Sequence, residues 1–97
     1  MRTILWNHRA RIDFYENINY LINEWSKREA QSFIDKVFEI ETILAQGKVD
    51  FQNTDRPGIK RYVINKHVSL FYRVINKKNV ELLRFWNNKQ NLKNLYF

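Results

Sequence analysis

The stretch from residue 56 to residue 86 constrains the fold of this chain most, because it is an almost continuous β-strand signal. Its three apolar runs are rich in β-branched and aromatic residues, which favour strands, and short polar runs separate them. The pattern predicts strands over residues 59–64, 68–75 and 80–86, joined by turns over residues 65–67 and 76–79. We interpret the stretch as a three-stranded antiparallel meander.

The second predicted turn determines which side chains share a face of this sheet. If it pairs Ile75 with Val80, one face is apolar and requires cover from another part of the chain. That face consists of Leu70, Tyr72, Val74, Leu83 and Phe85. The opposite face mixes cations with aromatic side chains, as a binding surface does, and consists of Ser69, Phe71, Arg73, Leu82, Arg84 and Trp86.

The length of the first predicted turn decides where Arg61 lies. A three-residue turn pairs Ile64 with Val68 and places Arg61 on the cationic face. Ile59 and Val63 then lie beside it. A two-residue turn would send Arg61 inward, where an unpaired guanidinium is costly to bury, so we expect the three-residue turn.

Positive charge is concentrated in the half of the chain that contains the meander. Residues 8–46 carry seven acidic and five basic side chains, a balance of −2, whereas residues 56–97 carry one acidic and ten basic side chains, a balance of +9. The predicted sheet therefore attracts a polyanion or an acidic protein partner. The alternative is a basic surface that only keeps a small protein in solution.

Composition excludes several classes of function. The chain has no cysteine, and its two separated histidines, His8 and His67, cannot form a zinc site alone. Two glycines are too few for a phosphate-binding loop, and no cofactor is expected. No apolar run approaches the roughly 20 residues that span a bilayer, and the N-terminus lacks the pattern of a signal peptide. We expect a single domain over residues 1–97, located in the cytoplasm, with no membrane partner.

The flanking parts of the chain predict one further strand and two helices. Residues 3–6 form a short apolar run that reads as a strand and joins the later sheet. Apolar residues then recur at helical spacing over residues 8–25 and again over residues 26–46. Residues 48–58 have no period and read as a loop, and residues 87–97 read as an irregular C-terminal tail.

Capping residues mark the ends of both predicted helices. Asn7 can cap the first helix, Ser26 and Glu29 match a capping box for the second, and Gly47 can end it. The link between the helices is short, so they form an antiparallel hairpin that covers the apolar face of the sheet. The predicted fold is α+β, with the element order β-α-α-β-β-β.

Two motifs accompany this order of elements. The sequence Pro-Gly-Ile-Lys-Arg at residues 57–61 opens one strand, and Phe-Tyr-Arg-Val at residues 71–74 lies in the next. Together with the element order, they resemble the RelE/ParE superfamily of bacterial type II toxin–antitoxin toxins over essentially the whole chain. The resemblance implies a small growth-inhibiting toxin that a cognate antitoxin neutralises. The targets it implies are mRNA on the ribosome or DNA gyrase.

The resemblance also implies positions for the residues of the ribonuclease branch. That branch has cations on the strand before the middle strand, and an arginine and a tyrosine after the last strand. In this chain these positions hold Lys60, Arg61, Lys89 and Tyr96. The position that matches the branch's middle-strand catalytic arginine is Ser69, and the His-Gly-Arg-Arg type of run is replaced by Trp-Asn-Asn-Lys-Gln at residues 86–90.

RNA cleavage through the 2′-hydroxyl requires a base, cations that stabilise the charged transition state, and a proton donor. His67 is the candidate base, and the alternative is a solvated turn residue. Arg61, Arg73 and Arg84 are candidates to clamp phosphate, since guanidinium is permanently charged and bidentate. The alternative is a solvated strand face on which Arg73 or Arg84 pairs with Glu81.

Two classes of function stay open at this point. The first is a ribosome-dependent endoribonuclease that uses the three arginines with His67 or Tyr96, and it contacts RNA through Lys60, Lys66, Phe71, Trp86 and Lys89. Phe71 and Trp86 would stack bases, unless the C-terminal tail covers them. The second is a ParE-type gyrase inhibitor that acts by binding and requires no catalytic set. A divergent member without toxicity is the remaining alternative.

Overall fold

The computed structural model describes residues 1–48 and 51–97 of the chain. Two helices pack against one face of a five-stranded mixed sheet, which confirms the predicted α+β class. The elements in chain order are β1 (Thr3–Trp6), α1 (His8–Glu24), α2 (Lys27–Gln46), β2 (Gln52–Asn53), β3 (Lys60–Val63), β4 (Val68–Val74), β5 (Asn79–Asn87) and a 3-10 turn (Leu92–Asn94). No helix in the described ranges is long and apolar enough to cross a bilayer.

The predicted helix starts are confirmed by their caps. The Asn7 side chain accepts a hydrogen bond from the Ala10 N–H at 2.8 Å. The Ser26 hydroxyl accepts one from the Glu29 N–H at 3.1 Å. The other half of the predicted capping box is absent, because the Glu29 carboxylate instead lies 3.6 Å from Nε2 of His67 in the β3–β4 turn. Helix α2 is thereby linked to the sheet at its first turn.

The C-terminus of α2 is closed by Gly47 and by a side chain from the start of the protein. Gly47 takes φ = 72°, a conformation that favours glycine, and its N–H donates to the Leu44 carbonyl at 3.2 Å. The Arg2 guanidinium donates to the same carbonyl through Nε at 3.0 Å and through Nη2 at 2.7 Å. A cation at this end also complements the helix dipole.

The strand order in the sheet is β1-β5-β4-β3-β2. β1 joins the sheet as predicted and pairs with β5 in parallel, while the other neighbours are antiparallel. The short strand β2 was missed, because it lies within the segment 48–58 that was predicted to be a loop. Val49 and Asp50 of that segment lie outside the described residues.

The first hairpin has the predicted three-residue turn. The Ile64 N–H donates to the Val68 carbonyl at 3.0 Å, and Arg61 stands opposite Phe71. Arg61 therefore lies on the face of the sheet that is turned away from the helices, as expected.

The second hairpin follows the predicted register on only one side of a β-bulge. Phe71 pairs with Arg84 as predicted, but its neighbour Tyr72 pairs with Leu82. Leu83 is the extra residue in β5, and it reverses the alternation of side chains along the rest of the strand. The prediction that Leu83 lies beneath the helices, with Leu82 on the opposite face, is therefore wrong.

The one-residue change in the pairing of β4 with β5 begins in the turn between these two strands. The Ile75 N–H donates to the Asn79 carbonyl at 2.9 Å, so Ile75 pairs one residue earlier than predicted. The Asn76 side chain accepts a hydrogen bond from the Lys78 N–H at 2.8 Å and stabilises a three-residue turn. The bulge then restores the predicted register farther along both strands.

The core fills the space between the helices and the face of the sheet that contains Tyr72. Its largest fully buried side chains are Tyr72, Phe33, Phe85, Leu21, Ile40, Leu44, Leu70 and Leu82. Trp6 and Phe14 extend this core at the start of α1, with ring centroids 5.1 Å apart. Both helices contribute, as the predicted hairpin requires.

Helix α1 supplies hydrogen bonds to the part of β5 that extends past β1. β1 pairs with β5 only over residues 79–82. Beyond that point, the buried Asp13 accepts from the Phe85 N–H at 3.1 Å, and Asn17 donates to the Phe85 carbonyl at 2.9 Å. Asp13 and Asn17 are four residues apart and lie on one face of the helix. These two side chains take the place of a strand.

Candidate functional site

The face of the sheet turned away from the helices, called the second face below, is where the candidate residues were predicted. It carries Arg61, Ser69, Phe71, Arg73, Leu83, Arg84 and Trp86. Residues 88–97, called the tail, fold back across part of it. Leu95 is buried and forms a cluster with Phe71 and Trp86, each only 4% exposed. The prediction that these two aromatic rings are exposed is therefore wrong, and the alternative of cover by the tail applies to both.

Two arginines bind the backbone of the tail. Arg56 donates to the Leu95 carbonyl at 3.0 Å, and its guanidinium lies 4.9 Å from the centroid of the Phe97 ring. Arg84 donates to the Tyr96 carbonyl at 2.8 Å. The Tyr96 side chain stays 69% exposed, with its ring 5.7 Å from the Arg84 guanidinium.

Arg84 is buried in an ion pair with Asp13 of α1. Its Nε lies 2.6 Å from Asp13 Oδ2, and its Nη2 lies 3.3 Å from Asp13 Oδ1. Both side chains are about 95% buried, which makes this a desolvated pair that requires both partners. Arg84 joins helix, strand and tail and is not free to clamp phosphate, contrary to the prediction.

Arg61 is held in a short polar chain on the second face. Its Nε and Nη2 donate to the Ser69 hydroxyl at 3.2 and 3.0 Å, and that hydroxyl donates to Asn88 Oδ1 at 2.8 Å. Ser69 is fully buried, so it positions Arg61 rather than presenting a reactive group. The Arg61 guanidinium also lies 5.6 Å from the centroid of the Phe71 ring.

Arg73 forms the salt bridge that was the alternative to a catalytic role. Its Nε lies 2.8 Å from Glu81 Oε1, and its side chain is 54% exposed. Arg73 is thus accessible, but its charge is already matched.

His67 lies at the end of the molecule where the helices meet, away from the second face. It is 4% exposed, and its ring packs 4.5 Å from the ring of Trp25. Burial lowers the pKa of His67, and the nearby Glu29 carboxylate partly opposes this. Lys66, in the same turn, covers the Trp25 ring at 4.6 Å. The alternative of a solvated turn histidine is wrong, since His67 is buried, and no hydrogen bond or ion pair among the described residues links its side chain to Arg61, Arg73 or Arg84.

The remaining candidate cations point in different directions. Lys60 is opposite Tyr72, which puts its side chain on the helix-facing side of the sheet, and its Nζ bonds to Asn53 at 2.8 Å. Lys60 therefore does not share a face with Arg61. Lys89 lies over the Tyr20 ring at 5.8 Å and lowers the pKa of that hydroxyl.

A cleft of about 370 Å³ lies between the β2–β3 loop and the tail. Arg56 and Arg61 supply its positive charge, and Phe71 and Phe97 supply aromatic walls. Arg56 was not among the predicted site residues. Arg56 could have been predicted from the sequence, because it begins the Arg-Pro-Gly run that ends an aperiodic loop, and loops often carry functional residues.

A family model of the ParE toxin of type II toxin–antitoxin systems (parDE) matches residues 4–92. The chain belongs to the ParE toxin family. No curated protein sequence matches it significantly. Among solved structures, this ParE-family chain is similar to the chromosomal ParDE toxin–antitoxin system from P. aeruginosa, with 17% identity, a TM-score of 0.72, and 90% of this chain and 96% of that chain covered. It is also similar to the E. coli DinJ–YafQ complex, with 11% identity, a TM-score of 0.61, and coverage of 92% and 96%.

In this ParE-family protein, the predicted site residues form three separate groups. Arg61 and Phe71 lie at the cleft, Arg84, Trp86 and Tyr96 lie under or on the tail, and His67, Lys66 and Lys89 lie near the helical turn. Arg73 and Lys60 belong to none of these groups. Within the described residues, no cluster of three or more His, Cys, Asp or Glu side chains could hold a metal ion.

Proposed function

We propose that this chain is the growth-inhibiting toxin of a type II toxin–antitoxin pair, and that it acts by binding DNA gyrase without cutting RNA. The observation that carries the proposal is the dispersal of the candidate catalytic residues. Arg84 is committed to Asp13, Arg73 to Glu81, and His67 lies under Trp25. Gyrase is the target that the resemblance to ParE toxins implies.

General acid–base cleavage needs the base within hydrogen-bond reach of the hydroxyl it deprotonates, beside cations that face the phosphate. The buried His67 and the buried Arg84 supply neither from an accessible surface. A binding mechanism has no such geometric requirement. It needs only a stable, charged surface, and residues 56–97 provide a balance of +9.

A cognate antitoxin is part of the same proposal. The similar solved structures are described as the ParDE toxin–antitoxin system and the DinJ–YafQ complex, so relatives with this fold occur with protein partners. The strongly basic half of this chain favours an acidic or amphipathic segment as the contact.

The alternative function is a ribosome-dependent endoribonuclease, and one observation favours it. The cleft of about 370 Å³ holds Arg56 and Arg61 beside the partly exposed Phe97 ring, and guanidinium groups next to an aromatic ring suit a nucleotide. In that case Arg61→Ala should reduce cleavage by roughly 10²-fold, because a guanidinium that stabilises the transition state is lost.

Brief expression in the native host, without the adjacent antitoxin gene, tests both functions. We expect growth arrest that coexpression of the antitoxin relieves, with DNA breaks and intact transcripts when mRNA 5′ ends are sequenced. Lys77→Ala, in an exposed turn, is the matched control for Arg61→Ala. Codon-phased transcript ends that disappear with Arg61→Ala would show that the protein cleaves RNA, and would contradict the proposal that it acts by binding gyrase. If expression does not slow growth, the toxin proposal itself is wrong.

A further inference from the structure

Large aromatic side chains are exposed on the helices, away from the second face. Tyr15 on α1 is 63% exposed and Phe38 on α2 is 58% exposed. Both line a groove of about 430 Å³ between the two helices, together with Phe14 and Trp6. Ile22 follows Tyr15 by seven residues on the same face of α1 and is 42% exposed. Single exposed apolar residues are normal, but a group of them marks an interaction surface.

The walls of this groove carry one charge of each sign. Arg11 on α1 is exposed, and Glu41 on α2 is half-buried. None of the ion pairs among the described residues involves Arg11. Glu41 accepts one hydrogen bond, from the Trp6 indole N–H at 3.1 Å, and a carboxylate can accept several. The groove therefore pairs aromatic rings with an unmatched cation and a carboxylate that can take another donor.

Such a surface is complementary to itself. In a twofold dimer the same patch is used by both copies, so residue i of one copy meets residue j of the other, and j meets i. A twofold axis through the groove brings Arg11 of each copy toward Glu41 of the other. The aromatic rings of both copies then meet at the centre, where interfaces are enriched in Tyr, Phe and Arg.

The distribution of charge favours a second copy over an acidic partner at this groove. Residues 8–46 have a balance of only −2, whereas residues 56–97 have a balance of +9. An acidic segment is therefore drawn to the sheet half of the molecule. Two copies that met through their sheets would repel each other, but copies that meet through their helices keep the two basic halves apart.

We propose that a second copy of this chain binds the groove between α1 and α2, which makes the free protein a twofold symmetric dimer. Tyr15 and Phe38 supply the apolar centre of the interface, and Arg11 and Glu41 supply its reciprocal ion pairs. The contact surface is limited to two helices of 17 and 20 residues, so the dimer is reversible. The proposal concerns the chain alone and does not rest on toxicity.

Analytical ultracentrifugation of the full chain, made by cell-free synthesis, tests the proposal. The average mass should rise from monomer toward dimer as the protein concentration increases. Tyr15→Ser and Phe38→Ser should each raise the dissociation constant of the dimer by about tenfold or more, since each removes a ring from the centre of the interface. Tyr96→Ser removes a ring that is 69% exposed on the tail, and it should leave the dimer unchanged.

Two charge-reversal variants test the reciprocal contact itself. Arg11→Glu places two carboxylates opposite each other in its own dimer, and Glu41→Arg places two guanidinium groups opposite each other, so each variant alone should associate more weakly than the wild type. An equimolar mixture of the two should dimerise again, because both contacts then join opposite charges. Glu41→Arg also removes the acceptor of the Trp6 N–H, so circular dichroism verifies its fold, and the Tyr15 and Phe38 variants test the interface independently.

Several outcomes would overturn the proposal. A mass that stays at the monomer value up to the solubility limit would do so, as would equal weakening by Tyr96→Ser or a mixture of charge variants that associates no better than either alone. If the free chain is monomeric and Tyr15→Ser instead weakens binding to the product of the adjacent antitoxin gene, the groove takes that partner and the second copy is wrong. Growth arrest by the expressed chain would leave the proposed function standing in each case.

Discussion

Arg73 and Arg84 illustrate how two arginines on one predicted face acquire different roles. Arg73 meets Glu81 on an exposed strand surface, whereas Arg84 meets Asp13 between helix and sheet, where both side chains are about 95% buried. An exposed pair contributes little because water screens it and two flexible side chains must be ordered. A buried pair contributes little net energy when intact, but removing one partner leaves an uncompensated charge.

We therefore expect Asp13→Asn to lower the free energy of unfolding by about 3 kcal/mol, since Arg84 would keep its charge without a counterion. The matched substitution Glu81→Gln removes the carboxylate of the exposed pair and should cost at most about 1 kcal/mol. Urea unfolding of the two variants measures both values. Equal losses would show that the Asp13–Arg84 pair is not desolvated as the structure indicates.

His67 makes stability depend on pH in a predictable direction. Burial lowers its pKa below the ordinary value of 6.5, so the unfolded chain binds a proton more readily than the folded chain. Its contribution is complete above pH 6.5 and is lost as the pH falls toward the folded-state pKa. The charged groups that act on it are Glu29 on α2, Lys66 in its own turn, and Lys89 in the tail.

His67→Gln should flatten the decline of the melting temperature between pH 7 and pH 5, because glutamine does not titrate there. His8→Gln changes an exposed histidine and serves as the control. Thermal melts of both variants and the wild type at steps of pH provide the comparison. A decline that His67→Gln leaves unchanged would assign the pH dependence to other groups.

At the scale of elements, the end of α2 combines a backbone requirement with a side-chain contact. Gly47 and Gly58 both take positive φ, at 72° and 79°. A Cβ at Gly47 would lie 3.2 Å from Arg2 Nε, whereas a Cβ at Gly58 would meet no heavy atom within 4 Å. Substituting Gly58 therefore tests the cost of the left-handed backbone conformation alone, whereas substituting Gly47 adds the contact with Arg2.

Gly58→Ala should lower the free energy of unfolding by about 1 kcal/mol, the cost of the left-handed conformation for alanine. Gly47→Ala should cost roughly 0.5–1 kcal/mol more, because Arg2 must give up its place on the Leu44 carbonyl. Chemical denaturation gives both values. If adding Arg2→Ala to Gly47→Ala costs as much as Arg2→Ala alone, the extra loss does not come from this contact.

The elements that could be predicted are those whose determinants lie close together in the sequence. Helical spacing and the residues Asn7, Ser26 and Gly47 located both helices, and the cost of burying an unpaired Arg61 selected the three-residue first turn. The bulge at Leu83 was not predictable, because it depends on the Asn76 contact that shortens a turn. The two-residue strand β2 carries too few residues to have a period.

The candidate site was predicted less well for a related reason. Arg61 was correctly placed on the second face, because only two local turn lengths had to be compared and one of them would have buried an unpaired guanidinium. The role of Arg84 depends on Asp13, 71 residues away, and no local pattern links them. The cover over Phe71 and Trp86 depends on Leu95, a single apolar residue in a tail without periodicity.

At the scale of the whole molecule, charge is divided between two halves of the fold. The helical segment 8–46 has a balance of −2, and the segment 56–97 has a balance of +9. Such asymmetry accelerates encounter with an acidic partner and orients it toward the sheet. Salt screens this attraction over distances of about 10 Å at 0.1 M.

We expect the association rate with the antitoxin to fall by about tenfold or more as salt rises from low to high concentration, while the dissociation rate changes little. Surface plasmon resonance at several salt concentrations measures both rates. Replacing Lys77 and Lys78 with glutamate in an exposed turn should slow association without changing the fold. An association rate that is independent of salt would exclude electrostatic steering.

The replacement of a strand by Asp13 and Asn17 also bears on how copies of the protein avoid one another. An uncovered strand presents unpaired backbone groups, and these are a template for a second chain to extend the sheet. Helix α1 occupies those groups at Phe85. The same two side chains that complete this fold therefore also close this part of β5 to a second chain that would extend the sheet there.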